Sequence, residues 1–355
     1  SSIFISANPF MEYISFPHGN ACKGNCVPAG QDLFLNQIDI GISPVNSDGF
    51  MTPSCPFMAA SSYYNNKLSD NRHFYSMGKA YSGQVIPLDK GNNMYGKIID
   101  LSVPLMSGIA SDPERFLPEI EYVDNKRGAL QLAESFPGLD PLALPRQEGW
   151  AVEFVRMSTH AGTHMDAPYH YHSHMDDGSA SKTIDEIPLE WCIGPGVKLD
   201  FRHFPDGYVV TARDIERELA RIDHPLAVGD IVLVNTAAGG RYGSEDFIHR
   251  GCGMGREATL YLTERGVRVV GTDAWSWDAP FSHTRTKFEQ SGDISLIWEG
   301  HYAGSKYPYC QIEKLCNLEL LPPCGFNVIS LPVKVYKASA GWARPVAIID
   351  ERAGE

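Results

Sequence analysis

From residue 97 onward the chain switches repeatedly between short apolar runs and amphipathic stretches. KIIDLSVPL (97–105) reads as a strand that runs into a proline-bounded turn. AVEFVRMS (151–158) alternates apolar and polar positions, the pattern of a half-buried strand. GVKLDFRHF (196–204) and VRVVGTD (267–273) read as further strands, and IVLVNT (231–236) as a buried one. Thr211-Ala-Arg-Asp214 has the spacing of a capping box and predicts a helix to about Ile222. Residues 256–265 predict a second helix, and GFNVISLPVKV (325–335) and ARPVAIID (343–350) predict closing strands. Strands and helices alternate without a glycine-rich phosphate loop. The expected class is therefore α/β, with no signature of nucleotide binding.

Two regions depart from that texture. Residues 110–148 read as a charged, proline-rich insertion. Residues 1–96 are rich in Asn, Ser, Gly, Pro and Met, with little apolar periodicity but many Phe and Tyr. A solvated tail would carry fewer aromatics. The expectation is an irregular N-terminal extension (1–96) that packs on a main domain (97–350) or on a neighbouring subunit, which favours a homo-oligomer.

Bulk composition narrows the function. The chain has 355 residues and a formal charge of −13, with no block of Lys or Arg, which speaks against a nucleic-acid partner. No apolar run approaches the roughly 18–20 residues that span a bilayer, so no membrane partner is expected. No basic segment followed by a long apolar stretch opens the sequence, so no uncleaved signal peptide is read. The eight cysteines are scattered, and Cys22 and Cys26 lack the nearby second pair that a zinc knuckle needs. Reduced thiols and a cytoplasmic location are the expectation.

The chemistry concentrates at HAGTHMDAPYHYHSH (160–174), where five of the chain's twelve histidines fall. Gly162 permits a sharp turn. Pro168 should break any helix, so the step from His160 to His164 is expected to be a turn after a strand. Such a turn can aim two imidazoles and the Asp166 carboxylate at one point. Nitrogen and carboxylate donors suit zinc, manganese or iron, and a three-ligand set leaves room for water. His170 is close enough to take a proton from that water, or else to bind a second metal. His172 and His174 read as supporting or solvent-facing groups. Neither a Ser-His-Asp order nor a Gly-x-Ser-x-Gly elbow competes as nucleophile.

HAGTHMDAPYH fits the pattern His-x-Gly-Thr-His-x-Asp-x-Pro-x-His. DLSVPL (100–105), GDIVLVNT (229–236), GTDAWSWD (271–278) and EKLCNLELLPPCGF (313–326) agree with the same source. On these motifs, from about Ile98 to Ile349, the chain resembles the cyclase family of metal-dependent hydrolases. That family includes bacterial kynurenine formamidases, isatin hydrolases and a trans-dienelactone hydrolase. The resemblance implies a swivelling β/β/α architecture around a mixed barrel-like sheet, in homodimers or homotetramers. It implies His160, His164 and Asp166 as ligands of a first divalent ion and His301 and Glu313 as ligands of a second. One or two Zn or Mn ions per subunit follow, with His170 as catalytic base. Read on its own, Glu313 before LCNLELL is an ordinary first-turn glutamate of a helix.

The expected activity is hydrolysis by metal-activated water of a C–N or ester bond. The substrate would be a small cyclic amide, imide or lactone, or an aryl formamide. A metal-dependent cyclase or dehydratase acting on a polyketide-like acid is the alternative, and a non-catalytic metal-binding protein a third. Trp275, Phe281 and Tyr302 are the candidate contacts to a flat cyclic or aromatic substrate, and Trp277 lies among them. Arg285 or Arg344 could hold a substrate carboxylate.

Overall fold

The computed structural model describes residues 96–350. The expectations for residues 1–95, including Cys22 and Cys26, lie outside the described residues. In chain order the strands are β1 (Lys97–Asp100), β2 (Glu119–Val123), β3 (Val152–Arg156), β4 (His164–Asp166) and β5 (Ile193–Asp200). They continue with β6 (Val209–Val210), β7 (Ile231–Asn235), β8 (Gly253–Met254), β9 (Val269–Thr272) and β10 (Cys310–Glu313). The last are β11 (Phe326–Ile329), β12 (Ala340–Trp342) and β13 (Val346–Ile349). The α-helices are α1 (Asn125–Glu134), α2 (Pro168–Tyr171), α3 (Ala212–Arg221), α4 (Arg256–Glu264), α5 (Phe281–Ser291) and α6 (Glu299–Tyr302).

Nine strands form one curled, half-barrel sheet in the order β1-β13-β11-β5-β7-β9-β10-β4-β12. Its centre, β5-β7-β9-β10, is parallel, and antiparallel strands flank it on both sides. Parallel strands need crossovers that cover both faces, and β7 shows the result: all five of its residues are buried. Ile231 and Leu233 point into one core with Met165, Ile312, Leu315 and Phe326. Val232 and Val234 point into the other, where Ile215 and Leu219 of α3 and Ala258 and Leu262 of α4 pack. The mixed α/β class and barrel-like sheet expected from the sequence are present.

Helix α3 begins as its sequence predicts. Thr211 Oγ1 accepts from the Asp214 backbone N–H, the Asp214 carboxylate accepts from the Thr211 N–H, and Ile222 closes the helix. Elsewhere the structure corrects the reading. The 110–148 stretch holds a strand and a helix, because β2 pairs with β3 and Asp124 caps α1 through the Arg127 N–H. Strand β3 is mostly exposed, not half-buried. It belongs to a separate two-stranded ribbon with β2, in which Arg156 pairs with Glu119, while Arg127 of α1 pairs with Glu121. Among the described residues no helix is long and apolar enough to cross a membrane.

Replacing Thr211 by Ala removes the side-chain half of the capping box. The expected cost is about 1 kcal/mol, read as a lower urea midpoint with an unchanged slope.

Candidate metal centre

The site rests on one pair of strands. Strand β4 is hydrogen-bonded on both sides, and in its register with β10 His164 faces Glu313 and Asp166 faces Gln311. Side chains alternate across a sheet, so Met165 and Ile312 enter the apolar core while these four polar residues share the opposite face. His164 and Asp166 are therefore strand residues, two apart, rather than members of the turn. The turn itself carries His160 and contains Gly162 at φ +61, where a Cβ would lie 2.4 Å from Leu105 Cδ2. Pro168 does not break the structure. It occupies the first position of α2, where its missing N–H costs nothing, and that single turn presents His170.

The donor atoms converge. His164 Nδ1 donates to the Gly162 carbonyl (2.9 Å), so its Nε2 carries a lone pair. That Nε2 lies 3.2 Å from Asp166 Oδ1 and 3.6 Å from Glu313 Oε2. His160 Nδ1 lies 2.8 Å from the same Oδ1, while its Nε2 meets Ser339 Oγ at 3.0 Å. His164 Nε2 and Asp166 Oδ1 are buried and have no hydrogen-bond partner among the described residues. Each such orphan costs about 1–3 kcal/mol, and a cation bound by both would relieve it. Nitrogen and carboxylate donors from His160, His164 and Asp166, within 4.8 Å of one another, fit a divalent ion.

A second group within the same limit is Asp166, His170 and His301. His170 Nε2 is 4.0 Å from Asp166 Oδ2, and its ring lies 4.2 Å from that of His160. His301 sits on α6, and its Nε2 is 3.8 Å from Glu313 Oε1. Glu313 ends a strand, not the first turn of a helix, because its stretch pairs with β4 and β9.

Burial pushes the His170 imidazole down to about 4, against the pull of Asp166, so the ring is neutral at ordinary pH. Burial likewise lowers His164. Burial disfavours the Asp166 carboxylate, yet the imidazoles of His170, His164 and His160 outweigh it and hold the group well below the usual range. Burial, and then repulsion from Asp166, push Glu313 well above its ordinary value.

Three supporting residues escaped the sequence reading. Asp278 contacts His301 Nδ1 and accepts from the Gly300 N–H (2.8 Å) and the His301 N–H (3.1 Å), which fixes the ring and leaves Nε2 facing inward. Gln311 contacts that Nε2 and reaches Asp166 Oδ2 at 3.4 Å. Trp298, in left-handed backbone conformation (φ 56), stacks on His301 at 4.3 Å and meets His170 edge-on at 5.2 Å. Asp278 lies inside the GTDAWSWD motif and could have been noticed there. No sequence signal marks Trp298, whose place depends on a tertiary stack.

The structure thus brings His160, His164, Asp166, His170, His301 and Glu313 together. Tyr302 is 44% exposed and joins the rim through an edge contact to Trp298 (5.7 Å) and a tilted one to His172 (5.5 Å). Trp275 and Phe281 pair with each other at 5.5 Å, and no ring contact joins either to a site imidazole among the described residues. Trp277 is core, its indole bonded to Thr259, although its backbone N–H donates to Glu313 Oε1 (3.1 Å). Arg344 pairs with Asp100, and Arg285 is exposed on α5.

The family model described as Putative cyclase matches residues 99–279. A kynurenine formamidase of Sphingopyxis alaskensis is 30% identical over 202 residues, which cover 56% of this chain and 82% of the relative. One from Erythrobacter litoralis is 28% identical over 195 residues, covering 54% and 74%. Among solved structures, isatin hydrolase A of Labrenzia aggregata aligns with TM-score 0.55 at 24% identity, over 72% of this chain and 94% of its own. Isatin hydrolase A of Ralstonia solanacearum aligns with TM-score 0.57 at 21% identity, over 72% and 92%. At those identities the structural likeness speaks for the fold.

Asp273, beside the tryptophan cluster, stays outside the ligand set. Its carboxylate accepts from the Thr236 N–H and Oγ1, and burial, partly offset by those bonds, raises its pKa to about 7. A carboxyl raised in the folded state binds more protons there than in the unfolded chain. Its contribution is present at low pH and is lost as pH rises through about 7. The parent should therefore lose stability relative to Asp273→Asn between pH 5 and pH 8, measured by urea unfolding of both across that range.

Proposed function

Because the chain belongs to the cyclase family, we propose that it is a metal-dependent hydrolase that cleaves an amide-type bond in a small, flat substrate. One observation carries the reading. Lone pairs of His164 Nε2 and Asp166 Oδ1, with His160 Nδ1 beside them, face one buried point that a cation would satisfy. The formamidase relatives favour the C–N side of the expected chemistry, with an aryl formamide, a cyclic amide or an imide as substrate. A lactone is the ester counterpart of the same ring opening.

His160, His164 and Asp166 would hold the ion, zinc or manganese, with a second at His301 and Glu313. When bound, a divalent ion supplies a water acidic enough to ionise near neutral pH and a Lewis acid for the substrate carbonyl. His170 acts at Nε2 as the proton acceptor. Burial keeps it neutral before the reaction, and Asp166, 4.0 Å away, stabilises the imidazolium that forms. The same proton can return to the leaving nitrogen. Both His160 and His170 remain partly open, with 26% and 23% of their side chains exposed, so a small molecule can reach them. Tyr302 at the rim, beside Trp298, suits an aromatic or cyclic ligand. Trp275 and Phe281 remain candidates for its outer contacts.

Elemental analysis of the parent, His164→Ala and His170→Ala tests the scheme, with turnover measured on N-formyl anilines, isatin, cyclic imides and unsaturated lactones. His164→Ala should lose metal and all turnover. His170→Ala should keep the metal and lose about 10²–10⁴-fold in turnover. Loss of one of two equivalents in His170→Ala would instead make that residue a ligand, as its grouping with Asp166 and His301 allows. A parent without stoichiometric metal, or a fully active His170→Ala, sinks the scheme.

A further inference from the structure

Lys314 follows Glu313 at the end of β10, and its side chain is only 2% exposed. A lysine so deeply buried needs a partner, and it has one in Asp112, itself 3% exposed. The Nζ contacts Asp112 Oδ1 and also donates to the backbone carbonyl of His160 at 2.7 Å. Asp112 is held in turn by the Trp275 indole N–H, 2.9 Å from Oδ1. The backbone of Lys314 is left-handed (φ 58), a conformation that non-glycine residues seldom adopt. Its carbonyl accepts from Thr163 Oγ1 (2.7 Å), which accepts in turn from the Val103 N–H (2.9 Å). One residue thus grips the turn 160–163 twice, by side chain at His160 and by main chain at Thr163. Because Asp112 matches the ammonium, the pair adds little net charge beside a cation site.

We propose that the Lys314–Asp112 pair is a positioning element for His160: by holding that residue's carbonyl it aims Nδ1 at Asp166 and sets the affinity of the first cation. The proposal rests on His160, His164 and Asp166 as a cation site, not on the hydrolysis of any substrate. It also gives Asp112 and Trp275 a role, since Asp112 holds the ammonium that holds the ligand and the Trp275 indole holds Asp112.

The test is a double-mutant cycle on cation affinity. The full chain is stripped with chelator and titrated calorimetrically with Mn²⁺, as parent, Lys314→Met, Asp112→Asn, His160→Ala and the two doubles with His160→Ala. Lys314→Met and Asp112→Asn should each weaken binding about 10–100-fold. Neither should weaken it further once His160 is Ala, because the effect travels through that imidazole. Should Lys314→Met fail to fold, the Asp112→Asn cycle gives the same reading. An equal fold-loss in both backgrounds means a general structural role and overturns the proposal. So does parental affinity in the single variants, or a parent that binds no Mn²⁺. Coupled binding in a protein that hydrolyses none of the panel would overturn the proposed reaction and leave this assignment standing.

Discussion

The strand pairing of β4 with β10 places two carboxyls and an imidazole on one buried face of a sheet, and much of the surrounding structure answers that burden. Charge in a dry interior is tolerated only when it is matched. The neighbouring imidazoles hold Asp166 well below the usual carboxylate range, and burial, then Asp166, pushes Glu313 upward. Around them Asp278 orients His301, Gln311 reaches Asp166, and Tyr309 bonds Gln311 and the Gly300 carbonyl. The back of the same two strands is apolar, with Met165 and Ile312 locked in the core. The polar face therefore cannot rotate away from its load without exposing the other.

Much of this was legible because local pattern and final structure agree. The capping box at Thr211 starts its helix, the apolar run at 231 is the doubly covered strand β7, and the His-x-Gly-Thr-His-x-Asp spacing marks residues that do meet. The distant pair, His301 and Glu313, could be placed only through the family resemblance. Nothing in the spacing of His301 and Glu313 themselves indicates a shared pocket, and local preference alone reads Glu313 as helical. It lies in a strand because β4 and β9 on either side supply hydrogen bonds, a tertiary gain that overrides local preference.

Other features were hidden for the same reason. Pro168 is a helix breaker in the interior of a helix but a helix starter at its first position, and sequence alone did not fix which applied. Strand β3 has an alternating pattern that looks like half-burial, yet it stays largely exposed, as does β2, because among the described residues the two pair only with each other. Trp298 and Lys314 adopt left-handed backbones that a bulky side chain does not choose unaided. Their positions come from the stack on His301 and the bonds to His160 and Thr163, contacts that a linear reading has no means to see.

The lengths of chain spanned by these contacts bear on how the protein comes to exist. His160 meets Ser339 across 179 residues, and Lys314 closes on His160 and Thr163 across 154 and 151. Contacts of such separation form late, since loop closure must be met before they return any stability. On a ribosome the histidine-rich segment emerges long before strands β10 and β12, which clamp β4 on either side. Until they arrive, the imidazoles belong to an open chain with no fixed geometry. The geometry that a cation would meet is thus a property of the completed sheet, acquired in the last steps of folding rather than carried by the motif.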